Sequence, residues 1–153
     1  MDGDTASRRA LETILGEDAL RAGVDHYVAM RPGHELVRSV LWLLRPWSAA
    51  AYCHEIATTA NDILARRTAI HLLRAVADRR ALPWVSEFLD DPDPEVQSLG
   101  LGVLEQLLWS DRIEPEEAGE LLERAECHEN EAVRERAAII RGFLRDWAEI
   151  SKT

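Results

Sequence analysis

Two Cys-His dipeptides, Cys53-His54 and Cys127-His128, hold the residue types that could bind a metal. Together they would supply four donors, the number a tetrahedral zinc site takes. Neither dipeptide has the Cys-x-x-Cys spacing of a structural zinc site, so one buried and one surface residue in each is the ordinary reading. His54-Glu55 opens like a zinc-protease helix, but Thr58 stands where the second histidine is needed. Asp91-Pro-Asp93-Pro-Glu95 opens like a calcium loop. Val96 occupies the glycine position of such a loop, and the prolines suit a turn between helices better. There is no Gly-rich phosphate loop and no Gly-x-Ser-x-Gly. The residues thus assign no catalytic group, cofactor or metal, and the expectation is a protein that is not an enzyme.

Charge is the second source of chemistry. The chain of 153 residues carries 18 Lys+Arg against 28 Asp+Glu, a net charge of −10. Residues 1–80 hold 10 acids and 11 bases, net +1, whereas residues 81–153 hold 18 acids and 7 bases, net −11. Nucleic-acid binding draws its affinity from cations neutralising phosphates, so nucleic acid is not an expected partner. An acidic surface steers a basic protein toward itself. Ten acids and three bases fall between residues 111 and 135. Glu116, Glu120 and Glu123 share one helical face, with Glu117 beside them. They are candidate contacts for a basic protein partner, against the plainer reading of a solvated face whose first-turn glutamates complement the helix dipole.

The elements that position these residues are helical nearly throughout. Apolar residues recur at three- and four-residue intervals, and no strand alternation or hairpin dipeptide occurs. The pattern predicts helices over about 5–16, 18–30, 34–45, 48–59, 63–78, 81–89, 95–109, 115–126 and 131–150. Ser48, Asn61-Asp62 and Asn130 are in place to cap three of them. The strongest apolar run, 40–44, is too short to cross a bilayer, which takes about 20 residues. The charged start lacks the apolar stretch of a signal peptide. Two cysteines make no disulfide framework. A cytoplasmic, bacterial-type protein without membrane contact is expected.

Helix pairs repeat. Val96, Gly100, Val103 and Leu107 align with Val133, Ala137, Ile140 and Leu144 at a shift of 37 residues, and with Ala65, Ala69, Leu72 and Val76 at a shift of 31. A small residue thus recurs between larger apolar ones on one face. One helix pair cannot bury such a face alone, but stacked neighbours can. The segment Ala81-Leu-Pro-Trp-Val-Ser-Glu-Phe-Leu-Asp-Asp-Pro-Asp-Pro-Glu-Val-Gln resembles the HEAT repeat, with an early proline at Pro83 and an Asp-Pro-Asp-Pro turn. The motif is clear over 80–109, and weaker copies cover about 48–78 and 114–147. The resemblance implies an all-α, right-handed α-solenoid of about three to four helix pairs. It divides the chain into N-terminal helices over 1–46, a half-repeat or cap, and repeats over 47–150, in one domain. HEAT arrays mostly serve as binding scaffolds, so the resemblance implies a non-catalytic protein-interaction module. A small acidic inhibitor, such as an immunity protein neutralising a basic toxin or nuclease, is the alternative. A HEAT-like enzyme comes third; HEAT-like DNA glycosylases need a basic concave face that this charge argues against.

The resemblance also suggests roles for single residues. Arg38, Arg66 and Arg134 fall at equivalent places, where similar repeats carry a ladder of turn acids and arginines. Gln97 stands in the middle of that series and interrupts it. The second helix of a HEAT pair usually lines the concave side. On 95–109 the residues off the core stripe are Leu101, Glu105 and Leu108/Trp109. Leu101, Glu105 and Trp109 are therefore candidate partner contacts, unless they pack against a neighbouring repeat. On the last helix, Ile139, Phe143 and Ile150 broaden the apolar stripe that ends at Trp147. That excess suggests a weak homodimer contact, or Trp147 folding back as a cap on a monomer.

Overall fold

The computed structural model describes residues 3–151; Met1, Asp2, Lys152 and Thr153 lie outside them. All described elements are helical, and no described residue is in a strand. The chain forms two compact units, residues 1–78 and 79–153.

The first unit holds α1 (Gly3–Leu15), α2 (Glu17–Val28), α3 (His34–Leu44), α4 (Trp47–Thr59) and α5 (Ile63–Val76). α4 and α5 form its most extensive pair. Ala49, Cys53 and Ala57 recur every fourth residue along α4 and are fully buried. Their small side chains let a neighbouring helix approach closely. Asp62 caps α5 by accepting from the Leu64 N–H at 3.0 Å. Ser48, predicted as the cap of α4, instead lies one residue inside that helix. Pro46 takes the cap position, with φ −73° and extended backbone. Its ring presets φ and its carbonyl accepts from Ala49 and Ala50, so a hydroxyl has no cap left to make. Residues on either side of position 46 pack together, since α2 contacts α4 and α5 as well as α3.

The second unit holds a 3-10 turn at Arg79–Ala81, α6 (Leu82–Leu89), α7 (Pro94–Trp109), a 3-10 turn at Pro115–Ala118, α8 (Gly119–Glu126) and α9 (Glu131–Ile150). α6 packs on α7, and α9 packs on both α7 and α8. The two prolines of the 90–94 segment end one helix and open the next. Asp93 caps α7 through the Val96 N–H at 2.9 Å, and Asp91 accepts from the Asp93 N–H at 2.9 Å. The carboxylates that resembled calcium ligands are thus hydrogen-bonded to the turn's own backbone.

At Gly100 α6 and α7 approach closely: a Cβ there would overlap the Cβ of Phe88. The predicted core stripe Val96, Leu99, Gly100, Val103 and Leu107 is buried. The helix expected over 115–126 is split. Its first turn winds tighter, as a 3-10 turn, and there the Glu117 carboxylate reaches back to the Glu114 N–H at 2.9 Å. α9 is capped by Asn130, which accepts from the Ala132 N–H at 3.0 Å.

Candidate functional site

Each arginine aligned by the repeat finds a partner within its own unit. Arg38 bonds to Glu35 at 2.8 Å on its own helix. Arg66 donates to the Ala57 carbonyl at 2.6 Å. Arg134 donates to the carbonyls of His128 and Glu129 at 2.6 and 2.7 Å. Gln97 does not simply interrupt the series. It donates to the Asp91 carbonyl and accepts from the Asn130 side chain, both at 2.8 Å. An uncharged amide pair therefore links the two turns, and Gln97 is buried. Two neutral amides satisfy each other there without the desolvation cost of an ion pair.

The two Cys-His dipeptides have different surroundings. Cys53 is fully buried, and burial pushes its thiol pKa up. A metal ligand or nucleophile must be a thiolate, which this site disfavours. Cys127 is exposed. His128 spans two turns: its Nδ1 accepts from the Asn130 N–H at 3.1 Å, so Nε2 carries the proton donated to the Leu89 carbonyl at 3.0 Å. No group of three or more potential metal ligands occurs among the described residues.

The candidate contacts on α7 divide. Leu101 is fully buried and Glu105 is 5 % exposed, so neither stands on the surface as an anchor. The reason is that α7 is buried over most of its circumference between Val96 and Leu108, with only Ser98 and Gln106 partly exposed, as befits a helix whose apolar residues spread well beyond one stripe. Glu105 is held by Arg136 of α9 at 2.7 Å. Trp109 remains 44 % exposed. Of the four glutamates, Glu116, Glu120 and Glu123 are exposed. Glu117 is half-buried and tied to the Glu114 N–H and, at 2.7 Å, to Arg79. Its carboxylate closes a turn and pairs locally, and so differs from its neighbours.

A concave feature of the second unit lies beside these residues. It is a cleft of about 360 Å³ between the end of α7, the 110–116 segment and the last turns of α9. One wall is set by how α7 stops. Asp111 takes a left-handed conformation, φ 52°. The Asp111 N–H bonds to the Leu108 carbonyl at 3.1 Å and the Arg112 N–H to the Leu107 carbonyl at 2.9 Å. This is a Schellman motif, which turns the chain sharply off the helix. Ile113 then tucks under the turn, 6 % exposed, and Pro115 opens the next one. The other wall is Leu144, Trp147 and Ala148, which share one face of α9 by helical spacing, with Ser151 just past its end. Phe143 stacks between Trp109 at 5.6 Å and Trp147 at 5.4 Å between ring centres, the latter edge to face. Trp147 thus lines the cleft, where the sequence offered a cap or a dimer contact.

The floor is mostly apolar: Leu108, Ile113, Pro115, Leu144 and Trp147. The lip is acidic: Asp111, Glu114 and Glu116. No salt bridge to these three forms among the described residues. Of the lining residues, sequence reasoning offered Glu116 as a partner contact and named Leu108, Leu144 and Trp147 in other roles, but missed Asp111, Ile113 and Glu114. The usable signal was the break at 110–114, where acids sit between two helices and are placed by a turn. In the first unit, α3 exposes a separate stripe, Leu36, Val40 and Leu43, at 71, 46 and 57 %.

No helix of the described residues is long and apolar enough to cross a membrane. No family model matches the chain, and comparison with curated proteins and with solved structures gave no significant match.

Proposed function

We propose that the protein is a non-catalytic protein-binding module of HEAT-like architecture, and that it engages a basic protein through the acid-lipped cleft of its second unit. The observation that carries this reading is the cleft itself: an apolar floor under three carboxylates that no described cation neutralises. Apolar concavity with a few placed polar groups is the usual form of a binding site. An excess of one charge around it raises the association rate of an oppositely charged partner. The successive helix pairs and the small-residue approach at Gly100 support a HEAT-like stack, in which each pair buries its neighbour's apolar face. A cytoplasmic monomer or weak homodimer fits this role, and sedimentation at increasing concentration distinguishes the two.

A narrower version has the protein neutralise a basic toxin or nuclease. It is favoured by the charge of residues 81–153, net −11, which would both speed capture and repel nucleic acid. Affinity capture from the native cell's lysate, at low and high salt and read by mass spectrometry, tests both. A single basic protein in near-equal amount, released by salt, supports the inhibitor version, and loss of that partner's activity on binding completes the case. Several partners insensitive to salt favour a general scaffold and remove the acidic lip from the mechanism. No partner at either salt refutes the binding reading.

A further inference from the structure

From the lining of the cleft we infer the chemical group it takes: an arginine side chain flanked by apolar residues, presented by the partner protein. The inference rests on the binding reading above and narrows it. The lip offers carboxylates from two directions, Asp111 from the Schellman turn and Glu116 from the 3-10 turn. A planar guanidinium donates to several acceptors at once and is weakly hydrated, so it fits a partly apolar cleft better than an ammonium does. Trp147, 37 % exposed, supplies an indole on the wall. Its ring can receive the cation's face and the methylene stem. Leu108, Ile113 and Leu144 leave room for an apolar neighbour rather than for a second charge. The 360 Å³ volume is at the small end of ligand sites, which suits one side chain and its neighbour, not a folded element.

The test uses the full chain and fluorescent peptides of about nine residues with a central Leu-Arg-Leu, read by anisotropy at low salt. Matched peptides carry citrulline or lysine in place of the arginine, and free arginine forms a further arm. The arginine peptide should bind about tenfold tighter than the citrulline one, the worth of one charge-assisted hydrogen bond. Lysine should fall between them. D111N and E116Q should each weaken the arginine peptide a few-fold and leave the citrulline peptide unchanged. Glu131→Gln, an exposed acid outside the cleft lining, should change neither. Trp147→Leu should weaken the arginine peptide while melting and circular dichroism show the fold intact. Equal binding of arginine and citrulline peptides overturns the assignment, as does indifference to D111N and E116Q together. Free arginine binding as tightly as the peptide would replace a protein partner with a small guanidinium compound. A partner captured from lysate equally well by wild type and by the D111N/E116Q variant would leave the binding reading standing and remove this cleft from it. Loss of both peptide and partner binding in the wild type ends both.

Discussion

Gly100→Ala and Gly142→Ala are the same chemical change in two helix interiors, and the structure assigns them opposite signs. A methyl group at Gly100 would overlap the Phe88 Cβ and lie 3.0 and 3.1 Å from its Cγ and Cδ2. The Cβ rides on the α6 backbone, so no change of Phe88 rotamer relieves the overlap. α6 and α7 must move apart, which opens the interface along its length. Overpacking of this kind costs about 1–3 kcal/mol, and a backbone-borne clash belongs at the upper end. Alanine recovers about 1 kcal/mol of helix propensity. The net loss is about 2 kcal/mol, or about 4–8 °C in Tm for a chain of this size. At Gly142 the nearest atom to a new Cβ is the flexible end of Arg145, 3.9 Å away. There the propensity gain stands alone, and Gly142→Ala should stabilise by about 0.5–1 kcal/mol. Urea and thermal denaturation followed by far-UV circular dichroism measure both. Phe88→Leu keeps the Cβ, so the Gly100→Ala penalty should persist in that background. A Gly100→Ala protein as stable as wild type, or a penalty abolished by Phe88→Leu, would refute the close approach of α6 and α7.

Other substitutions test the polar interior and the turns. Glu105→Gln should destabilise by about 2 kcal/mol, because it leaves Arg136 without its carboxylate at a largely buried site; a double-mutant cycle with Arg136→Gln should recover part of that loss in urea titrations. Asn130→Ala removes both the α9 cap and the bond to Gln97, and should cost about 1–2 kcal/mol. Met30 sits at φ 50° and is 57 % exposed, so Met30→Gly should raise stability by about 0.5–1 kcal/mol by relieving left-handed strain. With a thiol-reactive dye, the native protein should label at Cys127 alone, and Cys53 should react only in denaturant; labelling of both in native buffer would contradict the burial of α4.

The helices were legible because each of their signals is local. Alternation at three and four residues, Asp62 and Asn130 before the helices they cap, and the Pro-Asp-Pro break all act within a few positions. Ser48 misled because a side chain able to cap says nothing of whether Pro46 already sets the backbone. Burial around α7 was not legible for a related reason. Periodicity names one apolar stripe, and Leu101 lies off it. Whether a second side of the helix is covered depends on neighbours that sequence spacing does not place.

The cleft was illegible for the opposite reason to the helices: its walls are 28 and more residues apart, and its shape depends on one turn. Glu116, Glu120 and Glu123 read as one helical face, yet the 3-10 turn places Glu116 on the lip. The acid that joins it, Asp111, belongs to no helical face at all. Only its left-handed backbone directs the chain across the end of α7 toward Trp147. The charge that could attract a partner is therefore spread along the sequence. The part of it that could select one group over another is fixed by backbone hydrogen bonds at residues 107–112. Disturbing that turn should alter selectivity for the arginine over the citrulline peptide while leaving the net charge, and with it the salt dependence of encounter, nearly unchanged.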